Sequence, residues 1–521
     1  MVVRFEPKIH SEPVALIGVR GEAGNPQVVS GPGEPVAMPG WNDPFDRPGP
    51  DSHAIFSSGK RFADISVEYN RLAARLAGAG RFPGVYPIAD QAWLRLVGCS
   101  HLLVENLHFR NCWPTAILIE NCQNLTIRNC TFEGGTFAIV ARGQKTSHVT
   151  VENCFWQQDD AWQESGYFSP RMWNCVSWNS IHGDYETAAK EGRPCVNIQT
   201  DSRAYDGDFF RGYGVGGNFV FRNNFVRDAF NAIHFYLTDA FAQDDPAGWP
   251  TPPRNVLIER NRFLRIRDNT VELENDSTQW VVRHNVFAEN YKPIAMEAAH
   301  GGFIYVYGNV GWNSHRPGKH SPDGSSVGVS IFKLGKASLG GGPVYFFHNS
   351  WMSGFDTIKK GKTSLFHHLN NAIQSPSERK GIFGKFANDI DKNFTREWAA
   401  LGIRFAGDAY GPDIDIGGMV ENGYHFTDET LKVKGPMFAA ISEGTDFAKT
   451  AAEDFRLSDD SQGGALLREK AVGIELQMPG GSQPVSLEAG ADIGAWQGEA
   501  LFNPVIDFPF FEAMQDDVPM V

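Results

Sequence analysis

Short stretches in which apolar and polar residues alternate recur along this chain, and most of them end in asparagine before a second apolar stretch follows. Asparagine returns in this setting about every 21 to 24 residues. Alternation with a period of two is typical of β-strands, and a fixed repeat of this length is typical of a solenoid. The pattern therefore predicts an all-β solenoid. The phrases are HLLVENLHF (Asn106), NLTIRNCTF (Asn129), HVTVENCFW (Asn153), FVFRNNFV (Asn223), VLIERNRFL (Asn261), WVVRHNVFA (Asn285), YVYGNVGW (Asn309) and YFFHNSWM (Asn349).

The distribution of these phrases divides the chain into three parts. The N-terminal part contains a first coil at 13–31, a Pro- and Gly-rich excursion, and a helix candidate at 64–78 whose apolar face would cap the open end of the solenoid. The middle part is the solenoid with two long loop insertions, and the last part is an irregular C-terminal extension and cap. The predicted parts are residues 1–90, 91–375 with insertions at 159–217 and 316–342, and 376–521.

Composition and charge exclude some classes of protein. The chain has 521 residues, of which 42% are hydrophobic and 21% are charged, as in a folded protein with a large core. A net charge of −14 argues against nucleic acid and anionic membranes as partners. No apolar run reaches the roughly 18 residues of a membrane-spanning helix, and the N-terminus lacks a signal-peptide layout. We expect a cytoplasmic protein, or an exported one whose signal peptide is not part of this chain.

The seven cysteines all lie between Cys99 and Cys195, and four of them follow an asparagine of the repeat. Equivalent positions stack on successive coils of a solenoid, so Cys130, Cys154 and Cys175 are expected to be buried, unpaired and stacked. CxxC and clustered Cys/His patterns are absent from the sequence, which predicts no metal site.

The repeat period, the asparagine phrase and the C-terminal DIGAW (492–496) together resemble the right-handed parallel β-helix superfamily, the pectate-lyase-like fold. The resemblance implies a stacked asparagine ladder, which it places at Asn106, Asn129, Asn153, Asn261, Asn285 and Asn309. It also implies activity on carbohydrate, because most members are polysaccharide lyases, hydrolases, transferases or epimerases, and a minority are tailspikes and adhesins. The flanking NTD and RIK motifs of polygalacturonase-like members are missing.

Three consecutive coils place acidic side chains on the outer face of one sheet. Alternation in NAIHFYL, NTVELEN and KPIAMEA puts the apolar residues inside the solenoid. In register, His234 is then expected beside Glu272, and Tyr236, Glu274 and Glu297 are expected to form one column. Asp268 and Asp228, which precede two of these strands, are placed at the same rim.

Glycosidic cleavage requires an acid together with a base or nucleophile, and two adjacent carboxyl groups can supply both. The candidate catalytic residues are therefore Glu274, Glu297, Glu272, Asp268 and Asp228. The alternative is that these are solvated carboxylates of an exposed sheet, although glutamate opposite glutamate is unfavourable in a sheet with no other role.

The insertion at 159–217 is polar and aromatic and would line a substrate groove. Its side chains could equally hold a large loop together. The candidate substrate-binding residues are His234, Tyr236, Trp162, Tyr167, Arg171, Trp173, His182 and Asp201.

Three functions remain open from the sequence. The first is a glycoside hydrolase or transglycosylase that uses the carboxylate pair and no cofactor. The second is a polysaccharide lyase, in which His234, Tyr236, Arg171 or Lys292 removes a proton beside a uronate carboxylate and the acidic column binds calcium. The third is a non-enzymatic glycan-binding or adhesin-like protein. In each case the partner is a poly- or oligosaccharide.

Overall fold

The chain coils into a solenoid whose wall consists of three parallel β-sheets. The computed structural model describes residues 2–60, 91–158, 207–236, 254–274, 277–297, 301–313, 331–334, 342–353, 358–359, 364–374, 402–411, 414, 426–427, 429–440, 454–506 and 508. Within these residues, each strand of the wall pairs in parallel with the corresponding strands of neighbouring coils. The predicted all-β parallel solenoid is therefore confirmed.

We name the three sheets A, B and C; their described parts have 12, 13 and 10 strands. Sheet A consists of Val2–Arg4, Gln27–Ser30, Ser100–Glu105, Gln123–Arg128, Ser147–Glu152, Gly217–Arg222, Arg254–Glu259, Thr278–Arg283, Gly302–Tyr307, Val344–Phe347, Phe366–Leu369 and Arg404–Ala406. Sheet B consists of Lys8–His10, Ala54–Ser57, Leu107–Arg110, Thr131–Glu133, Phe155–Gln157, Phe225–Ala229, Arg262–Ile266, Val286–Ala288, Val310–Asn313, Ser350–Ser353, Ala372–Gln374, Ala409–Gly411 and Leu431–Lys432. Sheet C consists of Val14–Ile17, Ala92–Val97, Thr115–Glu120, Phe137–Arg142, Asp208–Tyr213, Asn231–Tyr236, Asn269–Glu274, Lys292–Glu297, Phe332–Leu334 and Ile358–Lys359.

Few helices accompany the sheets in the part of the chain that the structure describes. They are the α-helix Gln462–Leu467, capped by the Ser461 hydroxyl, which accepts a hydrogen bond from the Gly464 N–H at 2.9 Å, and the 3-10 helix Pro479–Gly481. The capping helix expected at 64–78 lies outside the described residues. None of the described helices is long and apolar enough to cross a membrane. Three antiparallel pairs complete the fold: Phe438–Ala440 with Asp454–Leu457, Ile474–Leu476 with Val485–Leu487, and Trp496–Gln497 with Ala500–Leu501.

Parallel pairing extends beyond the predicted solenoid at both ends. The first coil contributes Val14–Ile17 and Gln27–Ser30, which pair with the strands at 92–97 and 100–105. After residue 375, Arg404–Ala406 and Ala409–Gly411 continue sheets A and B. The sequence pattern missed these last strands because the asparagine of the phrase is replaced there by Gly407 and Asp408.

The inside of the solenoid is a continuous apolar core made by one face of each strand. Rings stack between successive coils, as Phe109 does on Phe132 with centroids 5.2 Å apart. Phe210, Phe235 and Trp280 bring aromatic rings from sheets C and A together in the centre. Each such ring removed from water contributes about 1.5–3 kcal/mol to the free energy of folding. Burial of the alternating apolar side chains is therefore the main source of stability for the fold.

A two-residue turn joins sheet A to sheet B in most coils, and its first residue has a left-handed backbone. Asn129, Asn153 and Asn223 have φ values of 53°, 52° and 54°. Asparagine tolerates this conformation better than most residues. In these three coils, therefore, the repeated asparagine is explained by backbone geometry and not by stacking.

The second residue of this turn points inward and forms the asparagine ladder. The Oδ1 atom of Asn309 accepts hydrogen bonds from the backbone N–H and the side-chain N–H of Asn285, at 2.9 and 3.0 Å. The same arrangement repeats along a buried row: Asn224, Asn261, Asn285, Asn309, Asn349 and Asn371, ending at Asp408.

This row corrects half of the ladder expected from the sequence. Asn261, Asn285 and Asn309 belong to it, whereas Asn106, Asn129 and Asn153 occupy left-handed turn positions one residue earlier. The ladder position itself is occupied by Cys130 and Cys154 in the coils of Asn129 and Asn153. The Cys154 N–H donates to Asn224 Oδ1 at 3.0 Å, which joins the thiol positions to the ladder.

The described cysteines are free and buried, as the sequence predicts. They are Cys99, Cys112, Cys122, Cys130 and Cys154; Cys175 lies outside the described residues. Cys99 and Cys122 stack at the corner between sheets C and A, with the Cys99 N–H 3.2 Å from Cys122 Sγ. Cys130 and Cys154 stack at the corner between sheets A and B.

The outer face of sheet A carries a column of alternating charge next to the A–B turn. Six residues in register alternate in sign: Glu105, Arg128, Glu152, Arg222, Glu259 and Arg283. Neighbours form ion pairs, as Arg128 does with Glu105 at 2.9 Å and Arg283 with Glu259 at 2.8 Å. Because the column contains three glutamates and three arginines, it is electrically neutral as a whole.

The two ends of the chain cover the outer faces of sheets A and B. Residues 36–45 of the N-terminal segment and 437–438, 455–471 and 491–501 of the C-terminal part pack on sheet B. Residues 472–487, 502–506 and 508 pack on sheet A, where the Tyr305 hydroxyl donates to the Gln477 carbonyl at 2.6 Å. The outer face of sheet C has a different character, because buried charged side chains cluster on it.

Candidate active site

The charged cluster lies on three successive strands of sheet C. Backbone register pairs Arg211 with His234 and His234 with Glu272. Phe210, Ile233 and Val271, which precede them, lie in the apolar core, so Arg211, His234 and Glu272 face outward. The predicted neighbourhood of His234 and Glu272 is confirmed.

His234 lies between two carboxylates. Its Nδ1 atom is 3.2 Å from Glu272 Oε2 and 3.5 Å from Asp208 Oδ1. Asp208 in turn forms an ion pair with Arg211. The four residues are at most 4% exposed, which is unusual for charged groups on the outside of a sheet.

Glu272 is fixed by further contacts. Its Oε1 atom accepts a hydrogen bond from Asn269 Nδ2 at 2.8 Å and lies 3.6 Å from Lys333 Nζ. The Asn269 N–H donates to Asn231 Oδ1 of the preceding coil at 2.9 Å. Cationic and amide donors therefore surround Glu272, an arrangement that stabilises the ionised carboxylate.

Glu274 and Glu297 are directly opposite each other in register. Leu273 and Met296, which precede them, lie in the core. The predicted register of the two glutamates is therefore confirmed. The place of Tyr236 in the same column stays a prediction, because the described pairing of the two strands ends at Phe235 and Leu273.

Asp268 and Lys292 lie at the start of the same strands. The Lys292 N–H donates to the Asp268 carbonyl at 3.0 Å, and Asn269 Nδ2 lies 3.4 Å from Asp268 Oδ2. Lys292 is 1% exposed, and its Nζ atom lies 4.2 Å from the centre of the Tyr291 ring. Asp268 therefore shares Asn269 with Glu272 and remains close to the cluster.

Asp228 is held in an ion pair on sheet B, whereas the other catalytic candidates lie on sheet C or directly before one of its strands. A catalytic role for Asp228 stays a prediction. Asp228 belongs to the sheet B strand Phe225–Ala229, and Arg265 holds both of its oxygens, at 2.6 and 2.8 Å. The same guanidinium donates to Asn42 Oδ1 at 2.7 Å, so this ion pair fastens the N-terminal segment to sheet B. Sequence position before a strand did not reveal which sheet Asp228 joins.

Arg211 and Lys333 are site residues that the sequence reasoning missed. Both belong to the column of His234 and Glu272. The alternation in DFFRGY, with Phe210 and Gly212 inside, could have revealed Arg211. Lys333 lies on the three-residue strand Phe332–Leu334, which is too short for a period to be recognised.

Six predicted substrate-binding residues lie outside the described part of the chain, and their role stays a prediction. They are Trp162, Tyr167, Arg171, Trp173, His182 and Asp201. The described residues contain no group of three or more His, Cys, Asp or Glu side chains arranged to hold a metal ion.

Comparison with known proteins agrees with the fold. The model of the family described as "Right handed beta helix region" matches residues 94–318. No curated protein sequence matches the chain significantly. Pectate lyase Pel9A is similar in structure over 96% of this chain and 88% of its own, with 11% identity and a TM-score of 0.40.

A second similar structure is the tailspike protein of E. coli bacteriophage HK620 in complex with pentasaccharide, with 10% identity and a TM-score of 0.33. The similarity covers 69% of this chain and 47% of the tailspike chain, so this chain spans about half of the tailspike's length. The three parallel sheets show that this chain folds as a parallel β-helix, and the family match identifies residues 94–318 as a right-handed β-helix region.

Proposed function

We propose that the protein is a carbohydrate-active enzyme that cleaves or transfers glycosidic bonds on the outer face of sheet C. The observation that carries the proposal is the register of Glu274 opposite Glu297, two residues beyond the buried pair of His234 and Glu272. Like charges opposite each other destabilise a sheet, and buried charges add a further cost. A sheet with only a structural role would gain nothing from this arrangement.

The spacing of the two glutamates suits double displacement at a sugar. Neighbouring strands lie about 4.8 Å apart, and retaining glycosidases have carboxyl groups about 5–5.5 Å apart. One proton shared by the pair relieves the repulsion between them and supplies an acid beside a nucleophile. The acid protonates the leaving oxygen while the carboxylate attacks the anomeric carbon. Water, or a hydroxyl of another sugar, then displaces the glutamate and gives its proton to the carboxylate that had acted as the acid.

The neighbouring cluster would bind and orient the sugar. His234, held between Glu272 and Asp208, can exchange hydrogen bonds with ring hydroxyls. The side-chain oxygen of Asn269 is buried and has no hydrogen-bond partner among the described residues, so it can accept from a substrate hydroxyl. Arg211 and Lys333 are cationic groups of the cluster, balanced by Asp208 and Glu272, and either can donate to a substrate carboxylate.

The cationic groups of Arg211 and Lys333 also favour a second candidate, a polysaccharide lyase. In this mechanism a base beside the cationic groups removes the proton next to a uronate carboxylate. His234, Tyr236, Lys292 or Arg171, the last of which lies outside the described residues, would act as the base, and calcium bound by Glu274 and Glu297 would neutralise the substrate.

Product analysis with a panel of glycans distinguishes the two reactions. A hydrolase or transglycosylase gives saturated sugars, identified by mass spectrometry. A lyase gives unsaturated sugars that absorb in the ultraviolet and loses activity when calcium is chelated. Glu274→Gln and Glu297→Gln should each lower turnover by about 10²-fold or more. Glu475→Gln, at an exposed strand position outside the solenoid, is the matched control. No turnover on any glycan, with binding retained in all variants, would instead indicate a glycan-binding protein.

A further inference from the structure

A cavity of about 410 Å³ lies at the corner between sheets A and B, on a part of the solenoid that the proposed reaction does not use. Its volume is within the range of pockets for small ligands, about 300–1,000 Å³, but the cavity is a groove that opens widely to solvent. The N-terminal segment forms one wall and the A–B turns form the other. The lining residues are Val36, Met38, Asn129, Asn153, Asn223, Arg260 and Arg262.

Arg262 presents a cation to this cavity, and no carboxylate among the described residues pairs with it. Its guanidinium carbon lies 4.3 Å from the centre of the Phe225 ring and 5.6 Å from that of Trp41. Its only hydrogen bond among the described residues is a weak one to Met38 Sδ at 3.7 Å. Aromatic rings therefore hold the planar group in place while most of its donors remain available.

Arg260 occupies a position where the local backbone does not favour arginine. Its φ is 55°, in a turn where the preceding coils use asparagine. Two later coils place His284 and His348 here, and each contacts Phe502: His284 Nε2 lies 2.9 Å from the carbonyl, and the His348 ring stacks at 3.8 Å. Arg260 is exposed, and its side chain makes no such contact within the described structure. A ligand in the cavity would account for it.

Asn129, Asn153 and Asn223 add a row of amide groups at the spacing of the strands, about 4.8 Å. Their side chains make no hydrogen bond within the described structure. Regularly spaced amides can donate to and accept from the hydroxyls of a polymer that repeats. The adjacent alternating column of sheet A is neutral, so Arg260 and Arg262 set the charge of the cavity.

We propose that this cavity is a second carbohydrate-binding site, specific for a carboxylate-bearing glycan. Arg260 and Arg262 bind the carboxylate, since the guanidinium fork matches its geometry. The asparagine row binds hydroxyls of the neighbouring sugars. Such a site would hold a uronate polymer on the enzyme between cleavage events.

Calorimetric titration tests the proposal in the Glu274→Gln protein, which keeps the probe from being consumed. The probes are oligogalacturonate, oligoalginate and a neutral malto-oligosaccharide of the same length. We expect binding of at least one uronate probe, weakened by added salt, and about tenfold or more weaker binding in Arg260→Gln. Arg260→Lys should recover part of the affinity. Arg254→Gln, which changes an exposed arginine of the same sheet outside the cavity lining, should bind like the parent.

Equal affinity of Arg260→Gln and the parent would overturn the proposal, as would equal binding of the neutral probe. A sulfated oligosaccharide that binds better than both uronates would also overturn the assignment to carboxylate. The comparison of Arg260→Gln with the parent is independent of the proposed reaction, because glycan bound on sheet C contributes equally to both proteins. Loss of activity in Glu297→Gln with intact binding, for example, would support both proposals separately.

Discussion

Asn371 donates both its backbone N–H and its side-chain N–H to one oxygen of Asp408, at 2.8 and 3.0 Å. The asparagine ladder thus ends in a carboxylate, and its other oxygen lies 2.8 Å from Nδ1 of His368. Both residues of this ion pair are at most 1% exposed. Asp408 therefore ends the ladder, because a carboxylate has no side-chain N–H group that would need an acceptor in a further coil.

Replacing this terminal acceptor should destabilise the solenoid. Asp408→Ala leaves two buried N–H groups of Asn371 and the His368 imidazole without their partner, at a cost of about 3–5 kcal/mol. Asp408→Asn keeps an acceptor for Asn371 and should cost less. Urea unfolding followed by circular dichroism measures both. If Asp408→Ala lowers the free energy of unfolding by less than about 1 kcal/mol, the terminal acceptor is not needed for the stability of the ladder.

A substitution inside the cluster separates positioning from catalysis. Glu272→Gln removes the charge that holds His234, and we expect turnover to fall by about tenfold or more while unfolding changes little. The control is Glu120→Gln, because Glu120 also lies on sheet C and pairs with Arg142 at 3.1 Å. Kinetics on the substrate found in the glycan panel supply the measurement. Unchanged turnover in Glu272→Gln would remove His234 and Glu272 from the site.

Stability should fall in acid partly because of His348. Burial lowers the pKa of this imidazole to about 3, from an ordinary value near 6.5. Between pH of about 3 and about 6.5, the unfolded chain therefore binds a proton at His348 and the folded chain does not. This contribution to the free energy of unfolding is complete above pH of about 6.5 and is lost as the pH falls. At pH 4 the free energy of unfolding is therefore about 3 kcal/mol lower than above pH of about 6.5.

The variant His348→Asn tests this contribution, because asparagine suits the left-handed backbone at φ 48°. We expect a weaker dependence of the unfolding free energy on pH between about 4 and 6.5. His101→Asn, at φ 51° but only half-buried, controls for the change of turn residue. An identical pH dependence in His348→Asn and the parent would contradict the assignment.

The buried thiols should resist modification in the native protein. Burial raises the pKa of Cys112 and Cys154, and the reactive thiolate is therefore scarce as well as inaccessible. We expect labelling of these two sites by iodoacetamide only as fast as the chain unfolds, measured by peptide mass spectrometry. Rapid labelling of either thiol in the native protein, or a disulfide that includes one of them, would disprove the prediction that both thiols are buried and free.

The fold was predictable because apolar residues of several types occupy the core at regular intervals. Val271, Leu273, Ile294 and Met296 alternate with polar residues, and the structure places all four inside. The same regularity gave the register of Glu274 and Glu297. Local patterns suffice wherever each coil contacts only its neighbours.

The ladder and the rim of the site were harder to derive from sequence. In IRNC and ERNR an arginine precedes the asparagine, yet Asn129 is the left-handed turn residue and Asn261 the ladder residue. A shift of one residue is invisible to a pattern of apolar positions. The role of Asp228 depended on Arg265 and Asn42, the second of which is distant in sequence, so only the folded chain shows it.

The alternating column on sheet A limits how this protein can change in length. Loss of the single coil that contains Arg128 would place Glu105 opposite Glu152, two like charges in direct register, which destabilises a sheet. Loss of two successive coils would restore an opposite pair, Glu105 beside Arg222. Across this stretch, then, deletions and duplications of an even number of coils are tolerated far better than odd ones, and related solenoids that share the column should differ by whole pairs of coils.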